Sequence, residues 1–181
     1  MHIKKIVGAL FPAAALAATL VLGGCASPVT STAMVPTAVT TTNHHAASVS
    51  VSTGGGAETN PMWKSQISDA DLKQALVSSI NQNKTFSSVV EGKGGKYNLN
   101  VAIFNLTQPS FGLSFTVGVE MGWTLTNAAT GAVVWRESIK SEHTAGATDA
   151  FAGTTRLRMA TEGAARNNVA LGLAKLSALS L

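Results

Sequence analysis

Phe111-Gly112-Leu113-Ser114-Phe115-Thr116-Val117-Gly118-Val119-Glu120-Met121-Gly122-Trp123-Thr124-Leu125-Thr126 alternates without a break. Every odd position is apolar and every even one is Gly, Ser, Thr or Glu. Successive side chains on a strand point to opposite faces, so the pattern predicts a long strand with one buried and one wet face, as in an antiparallel sheet. With so many apolar positions it should be central, and Gly118 or Gly122 offers a place for a bulge. The wet side, with Ser114, Thr116, Glu120 and Thr124 set among glycines, is small and flat enough to meet a partner protein. An ordinary solvated sheet face has the same composition.

The flanking segments extend this strand into a domain. Asn127 to Gly131 reads as a hairpin loop with its glycine placed for positive φ. Val133 to Ile139 returns with Val133, Trp135 and Ile139 inward and runs on towards His143. Glu137 and His143 share a nominal strand face and would form an acid/base pair only if that strand curls. Upstream, Tyr97 to Leu106 alternates as a further strand, and Ala47 to Thr53 as the first one. Gly92-Lys93-Gly94-Gly95-Lys96 lacks phosphate-loop spacing and precedes a strand rather than a helix, so it is a flexible turn. Trp63, after Asn60-Pro61-Met62, is expected to anchor its loop to the body.

Ser68-Asp69-Ala70-Asp71 is a helix start, with a capping hydroxyl and two carboxylates at the positive end of the dipole. Leu72, Ala75, Leu76, Ser79 and Ile80 then share one face, and the helix ends near Asn81 to Asn83. Phe86, Val89 and Val90 form an apolar connector or an edge strand. From about Phe151 a second helix begins, capped by Thr154 or Thr155, with a seam of Leu157, Ala160, Ala164, Leu171 and Ala174. Gly163 and Ala164 permit close approach to a sheet, whereas Gly172 weakens the helix. Arg158, Glu162 and Arg166 stand at fourfold spacing, as in an exposed salt-bridge ladder.

These elements predict the α+β class: one domain over residues 47–181, a mainly antiparallel sheet of about four strands, and both helices on one sheet face. The tail Arg156-Leu157-Arg158-Met159-Ala160-Thr161-Glu162-Gly163-Ala164-Ala165-Arg166-Asn167-Asn168 resembles that of small uncharacterised proteobacterial lipoproteins. In outline the domain is also similar to lipopolysaccharide-assembly lipoproteins and to auxiliary lipoproteins of ABC transport systems. Neither group is known as enzymes, and the resemblance transfers no residue role.

The beginning of the chain supplies an address. Lys4 and Lys5 form a basic region, Ile6 to Leu22 an apolar core, and Gly23-Gly24 a small-residue cleavage zone, the three parts of a secretory signal over residues 1–24. The apolar core, diluted by Pro12 and alanines, falls short of the about 20 apolar residues that a membrane span needs. Leu22-Gly23-Gly24-Cys25 resembles the bacterial lipobox, and Cys25 is the single cysteine of 181 residues. The resemblance implies cleavage between Gly24 and Cys25, a diacylglycerol on the thiol and an N-acyl chain. Ala26 and Ser27, in place of the aspartate that the enterobacterial sorting rule uses for inner-membrane retention, imply the periplasmic face of an outer membrane. Residues 25–46 are Thr-, Ala-, Val- and Pro-rich without useful periodicity and are expected to form a flexible, lipid-anchored tether. Such a tether reaches about 25 Å as a coil and roughly 70 Å if fully extended. His44-His45 within it would hold a metal only weakly, so no metal site is expected.

Composition narrows the function. The sequence pI near 9.5 owes much to the signal: without Lys4 and Lys5, 11 basic residues face 9 acidic ones. The basic residues are scattered rather than interleaved with aromatics, which argues against nucleic-acid binding. No nucleophile elbow or zinc-protease motif is present, so no catalytic residues are assigned and an enzyme is not expected. Two readings follow: an accessory or docking lipoprotein of a cell-envelope assembly or transport system, or a lipoprotein holding a lipid or glycan between helices and sheet with Trp63, Trp123 or Trp135.

Overall fold

The computed structural model describes residues 25–62 and 64–181. The signal reading of residues 1–24, Gly24 included, and the role expected of Trp63 lie outside the described residues. Five strands and two helices follow one another: β1 (His45–Gly54), α1 (Asp69–Asn83), β2 (Phe86–Val90), β3 (Tyr97–Thr107), β4 (Phe115–Asn127), β5 (Val133–Ala145) and α2 (Gly153–Ser177). The sheet order is β2-β1-β3-β4-β5.

The α+β architecture has both helices on one face of the sheet, with a fifth strand and mixed pairing. β3, β4 and β5 form an antiparallel meander, whereas β1 runs parallel to both β2 and β3. Parallel neighbours need a crossover. α1 provides it between β1 and β2, and residues 91–96 pass over β1 to start β3. That second crossing uses the Gly/Lys segment: Gly95 N donates to Ser50 Oγ at 3.0 Å and Lys96 N to Ser48 Oγ at 3.0 Å. A Cβ on Gly95 would lie 2.5 Å from Ser50 N, so a side chain is excluded there. The segment expected to be a flexible turn is a pinned bridge.

β4 keeps the predicted parity in its regular part. Phe115, Val117, Val119, Met121, Trp123 and Leu125 are buried under the helices. Phe111 and Leu113 are not: they stand at 88 % and 81 % exposure, beyond the end of the sheet. Gly112 between them has φ of 151°, and a Cβ on it would meet Ser114 O at 2.8 Å. The alternation therefore ends physically at Phe115, although the letters continue it. No bulge falls on Gly118 or Gly122 in the β3–β4 ladder; it falls at Phe104 in β3, whose ring lies on the space above Gly122. Val133, expected in the core, is exposed, because the β4–β5 register shifts at Thr126.

α1 starts and buries the predicted set. Ser68 Oγ accepts from Asp71 N at 3.1 Å, and Leu72, Ala75, Leu76, Ser79 and Ile80 face inward. α2 begins instead on Ala152 without a side-chain cap. Its seam runs through Leu157, Ala160, Ala164, Ala165, Val169, Leu173 and Leu176, leaving Leu171 exposed. Close approach is real at two glycines. A Cβ on Gly163 would lie 2.1 Å from His143 Cδ2, and one on Gly172 would lie 2.2 Å from the Trp123 ring. Gly172 thus weakens α2 locally but lets it rest on the largest buried side chain.

Residues 26–43 are not a free tether. A short 3₁₀ turn covers Thr32–Met34, and Val29 and Met34 are buried in the same core as Leu76 and Val169. This segment runs alongside α2 and enters β1 at His45, earlier than predicted. His45 Nε2 donates to Leu176 O at 3.0 Å and its ring packs on Phe86 at 5.1 Å between centroids. His44 Nδ1 donates to Lys84 O at 2.8 Å. Both histidines thus bond backbone carbonyls of the body, His45 buried and His44 exposed.

Candidate functional site: the Cys25 end and the open sheet face

Two places carry the functional expectations: the chain around Cys25, and the face of the sheet that the helices leave bare. Cys25 is exposed, and the chain is fixed to the body from the next residue onwards. Ala26 N donates to Pro61 O at 2.9 Å, and Ser65 Oγ donates to Ser27 O at 2.7 Å. Further along, Thr30 N and Thr30 Oγ both donate to Glu162 Oε1, at 3.2 and 3.3 Å. Arg166 Nη1 donates to Ala33 O at 3.1 Å, and Thr42 N to Ser177 Oγ at 3.0 Å. The strap is thus stitched to α2 along most of the helix.

This corrects the reading of Arg158, Glu162 and Arg166. Arg158 does bond Glu162 at 3.1 Å, but the Glu162 side chain is 7 % exposed. The residues expected as a solvated ladder are the seat of the chain's own N-terminal strap. A buried carboxylate needs compensation, and here Arg158 and two donors from Thr30 give it.

The tail motif that carried the family resemblance is likewise structural. Asn168 is fully buried; its Oδ1 accepts from Trp123 Nε1 at 3.0 Å, and its Nδ2 donates to Ile139 O at 2.7 Å. Asn167 Nδ2 donates to Glu142 O, and Ser141 Oγ donates to Ala164 O, both at 2.8 Å. Asparagines and small residues here tie α2 to strand β5. The space between helices and sheet, where a ligand was envisaged, is filled by Trp123, Leu72, Leu76, Leu173 and Met34, none more than 1 % exposed. Trp135 packs on Trp123 with the rings tilted by 54° and their centroids 6.4 Å apart.

On the open face the structure brings together three of the four predicted partner-face residues. Thr116, Glu120 and Thr124 stand in line on β4, whereas Ser114 lies in the loop before it. Thr116 Oγ1 and Thr144 Oγ1 share a hydrogen bond of 2.7 Å. Ser138 Oγ donates to Glu120 Oε1 at 2.6 Å, and Lys140 Nζ lies 3.5 Å from Glu120 Oε2. The Ser138 hydroxyl, and then the Lys140 charge, hold the Glu120 carboxyl below its ordinary value. A shallow depression of about 280 Å³ lies beside it, lined by Asn105, Thr107, Thr116, Gly118 and Glu142. Its lining sets hydroxyl, amide and charged groups beside glycine and Val119.

Glu137 and His143 are not brought together. Glu137 Oε1 pairs with Lys175 Nζ at 2.6 Å on α2, and His143 lies under Gly163. Among the described residues, no group of three or more His, Cys, Asp or Glu side chains is placed to hold a metal ion. No helix among them is long and apolar enough to cross a membrane. What the sequence reading missed was the strap: the cue, Val29 and Met34 flanking Thr30, is too short to show a period.

No protein-family model matches the chain, and no curated protein does. Solved structures do. A Xanthomonas campestris protein, XCC0632 of the DUF330 family, aligns with TM-score 0.60 and 14 % identity over 83 % of this chain and 94 % of that one. The hypothetical protein CT253 of Chlamydia trachomatis aligns with TM-score 0.50 and 8 % identity over 72 % and 98 %. A minor lipoprotein of Acinetobacter baumannii gives TM-score 0.45 and 10 % identity over 72 % and 90 %. At these identities the first two likenesses show one thing, that the chain shares their fold.

Proposed function

We propose that the chain is a lipoprotein of the bacterial envelope, cut between Gly24 and Cys25 and anchored through a diacylglycerol and an N-acyl chain on Cys25. Ala26-Ser27 favours the periplasmic face of the outer membrane. There it serves as an accessory or docking component of an assembly or transport system, not as an enzyme. The observation that carries this reading is the position of Cys25: it closes the lipobox-like Leu22-Gly23-Gly24-Cys25, is exposed, and begins a strap held to the body from Ala26 onward. Two or three acyl chains give lasting attachment, since each buried methylene contributes about 0.8 kcal/mol. With the strap docked, the body rides close to the bilayer instead of standing about 25 Å away on a coil. The bare face of β4 is then held in a set orientation, which suits docking.

The test of the accessory role is photo-crosslinking in cells from Thr116 and Thr124, followed by mass spectrometry. One envelope protein recovered reproducibly from both positions, and not from buried Met121, supports the role. Background alone from both positions contradicts it.

A further inference from the structure

Four large apolar side chains stand almost wholly in solvent, and all four lie at the end of the sheet where Cys25 emerges. Met62 is 85 % exposed, Phe111 88 %, Leu113 81 %, and Phe151 fully so. The topology places them together. Met62 follows Pro61, whose carbonyl accepts from Ala26 N, the residue next to Cys25. The loop carrying Met62 is tied to the loop carrying Phe111 and Leu113, because Lys64 Nζ donates to Gln108 O and Gln108 Nε2 to Ser65 O, both at 2.7 Å. Phe115 opens β4 just after Leu113 and pairs with Ala145, which closes β5. Phe151 lies in the connection from there to α2.

Phe151 is held outward by the structure. Arg156, buried beside it, donates from Nη1 to Ala150 O at 2.8 Å and to Phe151 O at 2.7 Å, and its guanidinium lies 5.6 Å from the centre of the Phe115 ring. A buried arginine thus fixes the backbone on either side of a phenylalanine left in water. Single exposed apolar residues are ordinary, but several on adjacent loop tips mark an interaction surface. Among the described residues the opposite end, built on the β4–β5 turn Asn127 to Ala132, has no exposed large aromatic, and its most exposed large apolar residue is Val133 at 51 %.

We infer that this end is a membrane-contact surface: Met62, Phe111, Leu113 and Phe151 enter the headgroup and acyl boundary of the leaflet that holds the acyl chains of Cys25. The occupant is the lipid bilayer, because the chain leaves the body for its anchor among these same loops. The inference rests on the lipoprotein reading and deepens it. The anchor gives attachment, and the loop tips give orientation, with the strands standing on end and the open face of β4 turned sideways along the membrane. Apolar tips in the interface gain by burying their area while the polar backbone around them stays wet.

The test uses the processed full-length protein, in which the Cys25 thiol is blocked by lipid and an added cysteine is the one free thiol. Phe111→Cys, Phe151→Cys and, at the other end, Ala129→Cys are each labelled with the environment-sensitive fluorophore NBD. They are then reconstituted into vesicles of phosphatidylethanolamine and phosphatidylglycerol with or without doxyl-labelled lipid. The expected result is a blue shift and loss of emission to doxyl lipid at 111 and 151, and neither at 129. Emission at 111 and 151 as water-like as at 129, in protein whose mass shows acylation, overturns the inference and leaves the anchor standing. A blue shift without doxyl quenching also overturns it, since protein then covers the tips. If the mass shows no acylation, the anchor reading falls and takes this one with it.

Discussion

Trp123 and Thr124 are neighbours in β4, and they answer to different constraints. Trp123 is fully buried, roofed by Gly172 and hydrogen-bonded to Asn168. Thr124, half-buried on the other face, stands opposite Asn100 and Arg136 with no roof above it. The contrast holds along most of the strand: odd positions are committed to packing, and the even ones lie on the open face, Gly122 alone among them buried, under the Phe104 ring. Its lesson is that the helix-covered face explains why the protein folds, and any docking role has to be sought on the other face or at the Cys25 end.

Substitutions sort by face if this is right. Trp123→Ala should be the most severe, costing about 3–5 kcal/mol and leaving Asn168 short of a partner in the core. Thr124→Ala should stay within about 0.5 kcal/mol. Urea titration of the two variants checks the pair, and comparable losses would break the distinction. Glycines sharpen it. Gly172→Ala drives a methyl into the Trp123 ring and should cost about 1–3 kcal/mol. Gly118→Ala meets Glu142 Cγ at an ordinary 3.8 Å and should be tolerated in the same assay.

The third prediction concerns the strap. Glu162→Gln removes the charge that Arg158 pairs with while keeping an acceptor for Thr30, a loss of about 1 kcal/mol. Faster amide exchange should be confined to residues 29–33, with β4 unchanged. Uniform acceleration would mean that the strap is not a separate element. The smallest effect belongs to Glu120. Its carboxyl is held below the ordinary value by Ser138 and then Lys140, so the stabilisation is present above the unfolded carboxylate range and lost as pH falls through the lowered value. Glu120→Gln should therefore lower stability slightly at neutral pH, with the difference from the parent chain vanishing at acid pH, as thermal melts at both pH values would show.

How far this was legible in the sequence follows from the same physics. The parity of β4 from Phe115 onward and the buried set of α1 are periodic signals, and they stand in the structure as read. Phe111 and Leu113 continue the period in letters, but a strand lasts only as long as its neighbours, and β5 ends at Ala145 opposite Phe115. Arg158 and Glu162 at fourfold spacing looked like a solvated pair because nothing local reveals that Thr30, 132 positions earlier, sits on them. Gly163 read correctly as a close-approach site. Gly172 read as a weakness, since the ring that makes it necessary lies on another element. The parallel pairing of β1 was invisible for a similar reason: it depends on a crossing by Gly95 that spacing alone does not announce. At the candidate site, the proposal at Cys25 comes from a local motif, whereas the strap that follows it and the apolar loop tips around it are products of topology.

The most direct test of the account is mass analysis of the mature N-terminus after growth with a palmitate analogue, in a host that labels a control lipoprotein. The account predicts a chain that begins at Cys25, carries the label, and loses it in the Cys25→Ser variant. An unlabelled chain still bearing residues 1–24, or one cut elsewhere, would contradict it.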